Sequence, residues 1–158
     1  MRPANSVTSN NQSKIGWRIL QEQNMKVLAF AVSNSRKLIN KDLFCCNTAP
    51  AEALLISYAE HNGNCTVADK KLFDWASRKN REVCQGKPIV MMATSAGAGG
   101  AKDALSLAMK SARLFAGSVM ASLSAPEFCK HSDRCEGVLT NLDMVAQLQA
   151  TLSPPQPT

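Results

Sequence analysis

The chain has few aromatic residues, only 5% of its length, so the stacking platforms on which single-stranded nucleic acid rests are not evident. Residues 1–14, MRPANSVTSNNQSK, are polar and lack the apolar centre of a secretory signal. No uninterrupted apolar run is long enough to cross a bilayer. The six cysteines include no CxxC pair. Without a secretory signal, they read as reduced, mostly structural thiols of a cytoplasmic protein. Cys129 and Cys135 flank His131 and Asp133, but that spacing matches no familiar zinc site, so no metal is expected.

What is present fits one globular domain. A chain of 158 residues can bury a single sizeable core. The formal charge of +6 is scattered. Only Lys70, Lys71, Arg78, Lys79 and Arg81 gather, with Asp69, Asp74 and Glu82 among them, as on a solvated helix face rather than a nucleic-acid stripe. Residues 1–24 read as an extension, partly disordered or helical. Residues 25–152 form the domain, and 153–158, ending in SPPQPT from Ser153, form a fraying tail.

Four short runs have the near-continuous apolar character of strands buried on both faces: KVLAFAVS (26–33), EALLISY (52–58), KPIVMMATS (87–95) and SVMASLS (118–124). Helical patterns follow at 66–80, 102–116 and 141–152. Thr66 and Asp69 have the spacing of a capping box. In the second helix Leu105, Ala108, Met109 and Ala112 line one face, and Ser106, Lys110 and Arg113 another. Strands alternating with helices predict a parallel sheet covered on both sides, whose ligands collect beyond the carboxyl ends of the strands.

Three polar turns fall at that edge. SNSRKLIN (33–40) carries Ser33, Asn34, Ser35 and Asn40, groups suited to a phosphate. AEHNGN (59–64) contains an Asn62-Gly63 pair that readily takes positive φ. ATSAGAGGAKDAL (93–105) has three glycines within four positions. A dinucleotide GxGxxG from Gly97 would need glycine where Lys102 stands, and a Walker loop would need Lys102 directly after a glycine. The glycines either permit a tight strand-to-helix turn or let main-chain amides approach a flat, polar-edged ligand.

These residues resemble the NAD(P)H-dependent FMN reductase family, from about Met25 to Phe128. SYAEHNGNCTVADKKLFDWAS (57–77) is similar to the family's PEYNGS…LKNxxDW signature through Glu60, Asn62, Gly63, Lys70, Asp74 and Trp75, with Ala59 in place of Pro and His61 in place of Tyr. Thr94, Ser95, Gly97, Gly99 and Gly100 match its TSxGxxGG turn. The phosphate loop GSxRxxSxN is matched only by Ser33 and Asn40, since Val32, Ser35 and Leu38 depart from it.

The resemblance implies a flavodoxin-like three-layer α/β/α sandwich that binds FMN without a covalent bond. The phosphate would lie on 33–40 and the isoalloxazine between Glu60, His61, Asn62 and Gly63 on one side and Thr94, Ser95, Gly97, Gly99 and Gly100 on the other. It implies hydride transfer from NAD(P)H to the flavin and on to a flavin, quinone or similar small-molecule acceptor, with no obligatory catalytic side chain. It also implies a homodimer, with no nucleic-acid or membrane partner expected. The alternative is a degenerate flavodoxin-like binding or assembly subunit without turnover.

Between Leu43 and Ala53 only FCCNTAPAE stands where the family adds a second strand and a long loop. The expected sheet is therefore reduced to about four parallel strands in simple progression. Either the first helix changes face, or the crossover is left-handed, or another segment such as SKIGWRILQEQN (13–24) fills the vacancy. Phe73 and Trp75 read as packing residues, Asp74 as a cap or salt-bridge partner, and Cys65 as a small filler. His61 and Lys102 are each open between solvent exposure and a place beside the cofactor.

Overall fold

The computed structural model describes residues 27–32 (as backbone), 48–133, 135–136 and 138–152. Four parallel strands, β1 (Val27–Val32), β2 (Ala53–His61), β4 (Pro88–Thr94) and β5 (Ser118–Ala125), lie in the order β1-β2-β4-β5. A short β3 (Asn64–Cys65) folds back antiparallel on the end of β2. Sequence order and spatial order coincide, as the absence of a second family strand predicts. The first helix and residues 13–24 lie outside the described residues.

The sheet divides the core in two. Leu54, Ile56 and Tyr58 of β2, with Ile89, Met91 and Ala93 of β4, meet Leu72, Phe73 and Ala76 of helix α1 (Val67–Lys79) and Leu105, Ala108 and Ala112 of helix α2 (Lys102–Ala112). Leu55 and Met92 point the other way, onto Leu148 and Leu152 of helix α3 (Leu142–Leu152). Right-handed β-α-β crossovers put α1 and α2 on the same face. The result is a three-layer sandwich.

Strand character follows position. Leu54–Tyr58 are all buried, because β2 has strands on both sides and helices on both faces. The expectation that SVMASLS is buried on both faces is corrected. Among the described residues β5 is an edge strand, in which exposed Ser118, Met120 and Ser122 alternate with half-buried neighbours. Its pairing steps from Ile89↔Val119 to Val90↔Ala121, leaving Met120 as a bulged residue, 54% exposed. A bulge breaks the regular row of open hydrogen-bonding groups along a sheet edge and so disfavours further pairing there.

The helix termini show how local chemistry sets the elements. Thr66 adopts an extended conformation, and its Oγ1 accepts from the amide of Asp69 at 3.3 Å, opening α1. The reciprocal half of the capping box does not form; Asp69 Oδ1 is buried without a hydrogen-bond partner. Arg78 and Lys79 in the last turn face the negative end of the helix dipole. Phe73 packs against Phe115, with ring centroids 5.0 Å apart, joining α1 to the 3-10 turn that ends α2.

Candidate functional site

Pairing across the sheet levels the strand tips. Val32 pairs with Tyr58, Tyr58 with Ala93, and Ala93 with Ser124, so one row of residues crosses the sheet just before the carboxyl ends. The segments leaving β1, β2 and β4 therefore set out from a common edge. Ser33, Asn34, Ser35 and Asn40 fall outside the described residues, and the expected phosphate loop with them.

The turn after β2 is a tight hairpin. His61 pairs with Asn64, while Asn62 (φ 52°) and Gly63 (φ 72°) take the two left-handed positions between them, the geometry of a type I′ turn. His61, Asn62 and Gly63 are all exposed. Glu60, half-buried, turns toward helix α2, where its Oε2 accepts from the amide of Ala104 at 3.3 Å. Cys65, opposite Glu60 on β3, donates its thiol hydrogen to the carbonyl of the same Ala104, also at 3.3 Å. The hairpin thus holds one residue of α2 through both its main-chain groups.

The glycine-rich turn divides into two kinds of glycine. Gly100 sits at φ +65°, and a Cβ there would come within 2.4 Å of Ser124 Oγ. It is required by the fold itself. Gly97 and Gly99 have ordinary φ, and a Cβ on either would meet nothing within 4 Å. No internal contact calls for glycine at these two exposed positions.

The turn is held from inside. The Ser95 hydroxyl donates to the Gly97 carbonyl at 2.8 Å and accepts from the Gly100 amide at 2.9 Å. The carbonyls of Ser95 and Gly97 accept from Phe128 and Glu127, and Ser124 donates to the Gly100 carbonyl at 2.7 Å. Among the described residues, the amides of Ala96, Gly97, Ala98 and Gly99 donate to no protein acceptor. The turn is a rigid loop presenting unengaged donors beside bare backbone, able to meet the acceptor edge of a flat ring.

A buried ionisable cluster lies beneath the hairpin. Burial raises Asp69 to about 6, partly offset by the Cys65 thiol and by Lys70. Burial, then the neighbouring Asp69 charge, pushes Cys65 up to about 11, so it is a protonated thiol at neutral pH and no nucleophile. Burial first, then Asp69, also holds the Tyr58 phenol well above its usual range. Cys65 and Tyr58 work as neutral hydrogen-bonding and packing elements, while Asp69 changes charge near pH 6.

Several individual expectations can now be placed. Glu60 is tied to Ala104 in the first turn of α2, His61, Asn62 and Gly63 stand exposed at the hairpin tip, and Thr94 is buried at the end of β4. Asp74 pairs with Lys70 on the helix surface, as a salt-bridge partner. Cys65 packs against the core as a half-buried filler. Phe73 is buried, but the expectation for Trp75 is corrected. The residue is 47% exposed, and its ring centroid lies 5.8 Å from the Arg78 guanidinium. The side chain faces outward because it falls one helical step off the buried Leu72–Phe73–Ala76 stripe. Missed by the sequence reading were Ser95 as the internal brace and Ala104 as the anchor of the hairpin. The only available signal for the latter was an α2 start without a capping side chain of its own, since Ala101 is the N-cap.

The sequence model of the NADPH-dependent FMN reductase family matches residues 44–129, more than half of the chain. The chain belongs to that family. Membership makes it an NAD(P)H-dependent oxidoreductase that uses FMN. The matched span contains both described turns and the internal brace between them. Among solved structures, the chain is similar to FerB, a flavoenzyme NAD(P)H:(acceptor) oxidoreductase from Paracoccus denitrificans, at 20% identity and a TM-score of 0.62, over 92% of this chain and 90% of that one. At that identity the likeness bears on the fold, which is flavodoxin-like. No curated protein matches the sequence.

Proposed function

We propose that this FMN reductase relative passes reducing equivalents from NAD(P)H, through FMN, to a free flavin, a quinone or a similar small acceptor. The observation that carries the reading is the pair Gly97 and Gly99, exposed, with ordinary φ and open space where side chains would stand. A fold that does not need glycine at these points, and keeps it there, leaves room for something external to lie against the backbone. The residues present fit a flavin. Ala96, Gly97, Ala98 and Gly99 offer amides to the pyrimidine edge, and the 61–63 hairpin tip forms the other wall, with His61 beside the ring. Ser33, Asn34, Ser35 and Asn40 would take the phosphate.

FMN, when bound, supplies the hydride-accepting chemistry. The protein supplies fixed N–H dipoles, already oriented by the Ser95 brace, toward the edge where negative charge accumulates. No side-chain acid or base is assigned. The same reading makes the protein cytoplasmic and homodimeric, with the outer face of α1, where Val67 is 80% and Trp75 47% exposed, as the surface between copies. Among the described residues no helix is long and apolar enough to cross a membrane.

Titration of the apoprotein with FMN, followed by flavin fluorescence, tests the reading directly. A saturable change with NADPH-dependent bleaching of the bound flavin is expected. A protein that shows no saturable change at high micromolar concentration, yet forms a stable dimer, would instead be the non-catalytic assembly subunit.

A further inference from the structure

The carboxyl end of β5 runs beside the glycine turn and grips its carbonyls. The amide of Phe128 donates to the Ser95 carbonyl at 3.0 Å, and the amide of Glu127 to the Gly97 carbonyl at 2.9 Å. The Ser124 hydroxyl donates to the Gly100 carbonyl at 2.7 Å. Two successive amides, those of Glu127 and Phe128, thus reach one turn. In extended backbone they would face opposite ways. Here they face the same way because Glu127 is left-handed, at φ 47° and ψ 33°, directly before the 3-10 turn Phe128–Lys130. That conformation is unfavourable for a glutamate, which lacks the short polar side chain that eases it in Asn or Asp. The carboxylate itself pairs with exposed Lys130, so what position 127 gives the turn is its backbone.

A trans peptide unit points its C=O and the N–H that follows in opposite directions, and the peptide bonds of the turn are trans. With the Ser95 and Gly97 carbonyls held toward the end of β5, the amides of Ala96 and Ala98 face away from it. β5 lies on one side of β4 and β2 on the other, so away from β5 is the side of the 61–63 hairpin. The amides of Gly97 and Gly99 are not aimed in this way. The carbonyls behind them, of Ala96 and Ala98, accept from no protein donor among the described residues.

We infer that Glu127 is a positioning residue for the flavin: its left-handed backbone draws in alternate carbonyls of the glycine turn and so aims the Ala96 and Ala98 amides, not those of Gly97 and Gly99, at the pyrimidine edge. The two glycines serve instead as bare surface along which the ring approaches. Donors fixed in this way need not reorient as negative charge arrives, so they favour the reduced ring over the oxidised one. The inference deepens the functional reading above and rests on it for the identity of the ligand.

FMN titration of the chain followed by amide NMR should move the Ala96 and Ala98 proton resonances downfield, and by more than those of Gly97 and Gly99. Glu127→Pro removes both the donor and the left-handed φ. It should weaken FMN roughly fivefold and shift the midpoint potential of the bound flavin to a lower value. A merely structural defect would weaken both redox forms alike and leave the potential in place. The conservative variant Glu127→Gly keeps the amide and the φ, and should restore the wild-type potential and an affinity within about twofold of wild type. If Glu127→Pro does not fold, Ala98→Pro removes one aimed donor alone and should give the same two shifts. Larger downfield movement at Gly97 and Gly99, or an unchanged potential in the proline variants, would overturn the inference while leaving the flavin reading intact. A wild-type chain that takes up no FMN would refute that reading, and the inference with it.

Discussion

Glu60 Oε2 lies 3.3 Å from the amide nitrogen of Ala104, so a carboxylate on the end of β2 caps a helix that begins 42 residues later. Helix α2 starts at Ala101 in the left-handed region, with no side chain of its own to satisfy its first amides. Glu60 fills that need from the neighbouring strand and adds a negative charge at the positive end of the helix dipole. The two walls of the proposed flavin site are therefore mechanically one unit.

Replacing Glu60→Ala should remove both effects and destabilise the fold by about 1–2 kcal/mol. Glu60→Gln keeps an acceptor oxygen and should cost less than half of that. Urea melts of the two variants give the comparison. Equal losses in both would assign the whole effect to charge rather than to the hydrogen bond.

The glycine turn makes a contrasting prediction. Gly100→Ala places a methyl group against Ser124 Oγ at a strained φ, and should destabilise by about 1–3 kcal/mol. Gly97→Ala and Gly99→Ala should leave stability within about 0.5 kcal/mol of wild type, yet weaken FMN several-fold by blocking the approach to the amides. Thermal melts paired with flavin titration separate the two classes. Unaltered FMN affinity in both surface variants would remove the reason for a flavin at this turn.

The four strands and three helices are legible in the sequence because their signals are local: short apolar runs, a helical apolar stripe, a Thr-x-x-Asp start. The Asn62-Gly63 hairpin is legible for the same reason. What could not be read was non-local. The half-exposure of β5 depends on its being last in the sheet, and a short run of small residues looks alike at an edge or in the centre. The Glu60–Ala104 bond joins residues 44 apart, and the family motif gives Glu60 no hint that its carboxylate serves a helix. Trp75 is misread because it falls beside a true apolar stripe, where one helical step decides between core and solvent.

That outward tryptophan carries the assembly prediction. Trp75→Glu sets a charge into a face that otherwise combines Val67 with an aromatic ring stacked near Arg78. If copies meet there, the variant should sediment as a monomer while keeping its melting temperature at low concentration. Wild type and variant with the same sedimentation would exclude this face as the interface.

Asp69 gives the fold a pH dependence whose sign is set by burial. Its folded value of about 6 lies above the ordinary 3.8, so between these limits the folded chain binds more protons than the unfolded one. The stability contributed by the neutral carboxyl is therefore fully present below about pH 4 and is lost as pH rises through about 6. A shift of this size corresponds to about 2–3 kcal/mol. Asp69→Asn keeps a neutral polar side chain beside Cys65 at every pH, so it should raise the melting temperature at pH 7.5 and have little effect at pH 4. Because the hairpin reaches α2 through Cys65 and Glu60, flavin affinity should gain from the same substitution above pH 6 if ionised Asp69 loosens that contact. A melting temperature that falls between pH 4 and 6.5 by as much in the Asn variant as in wild type would place the titrating group elsewhere.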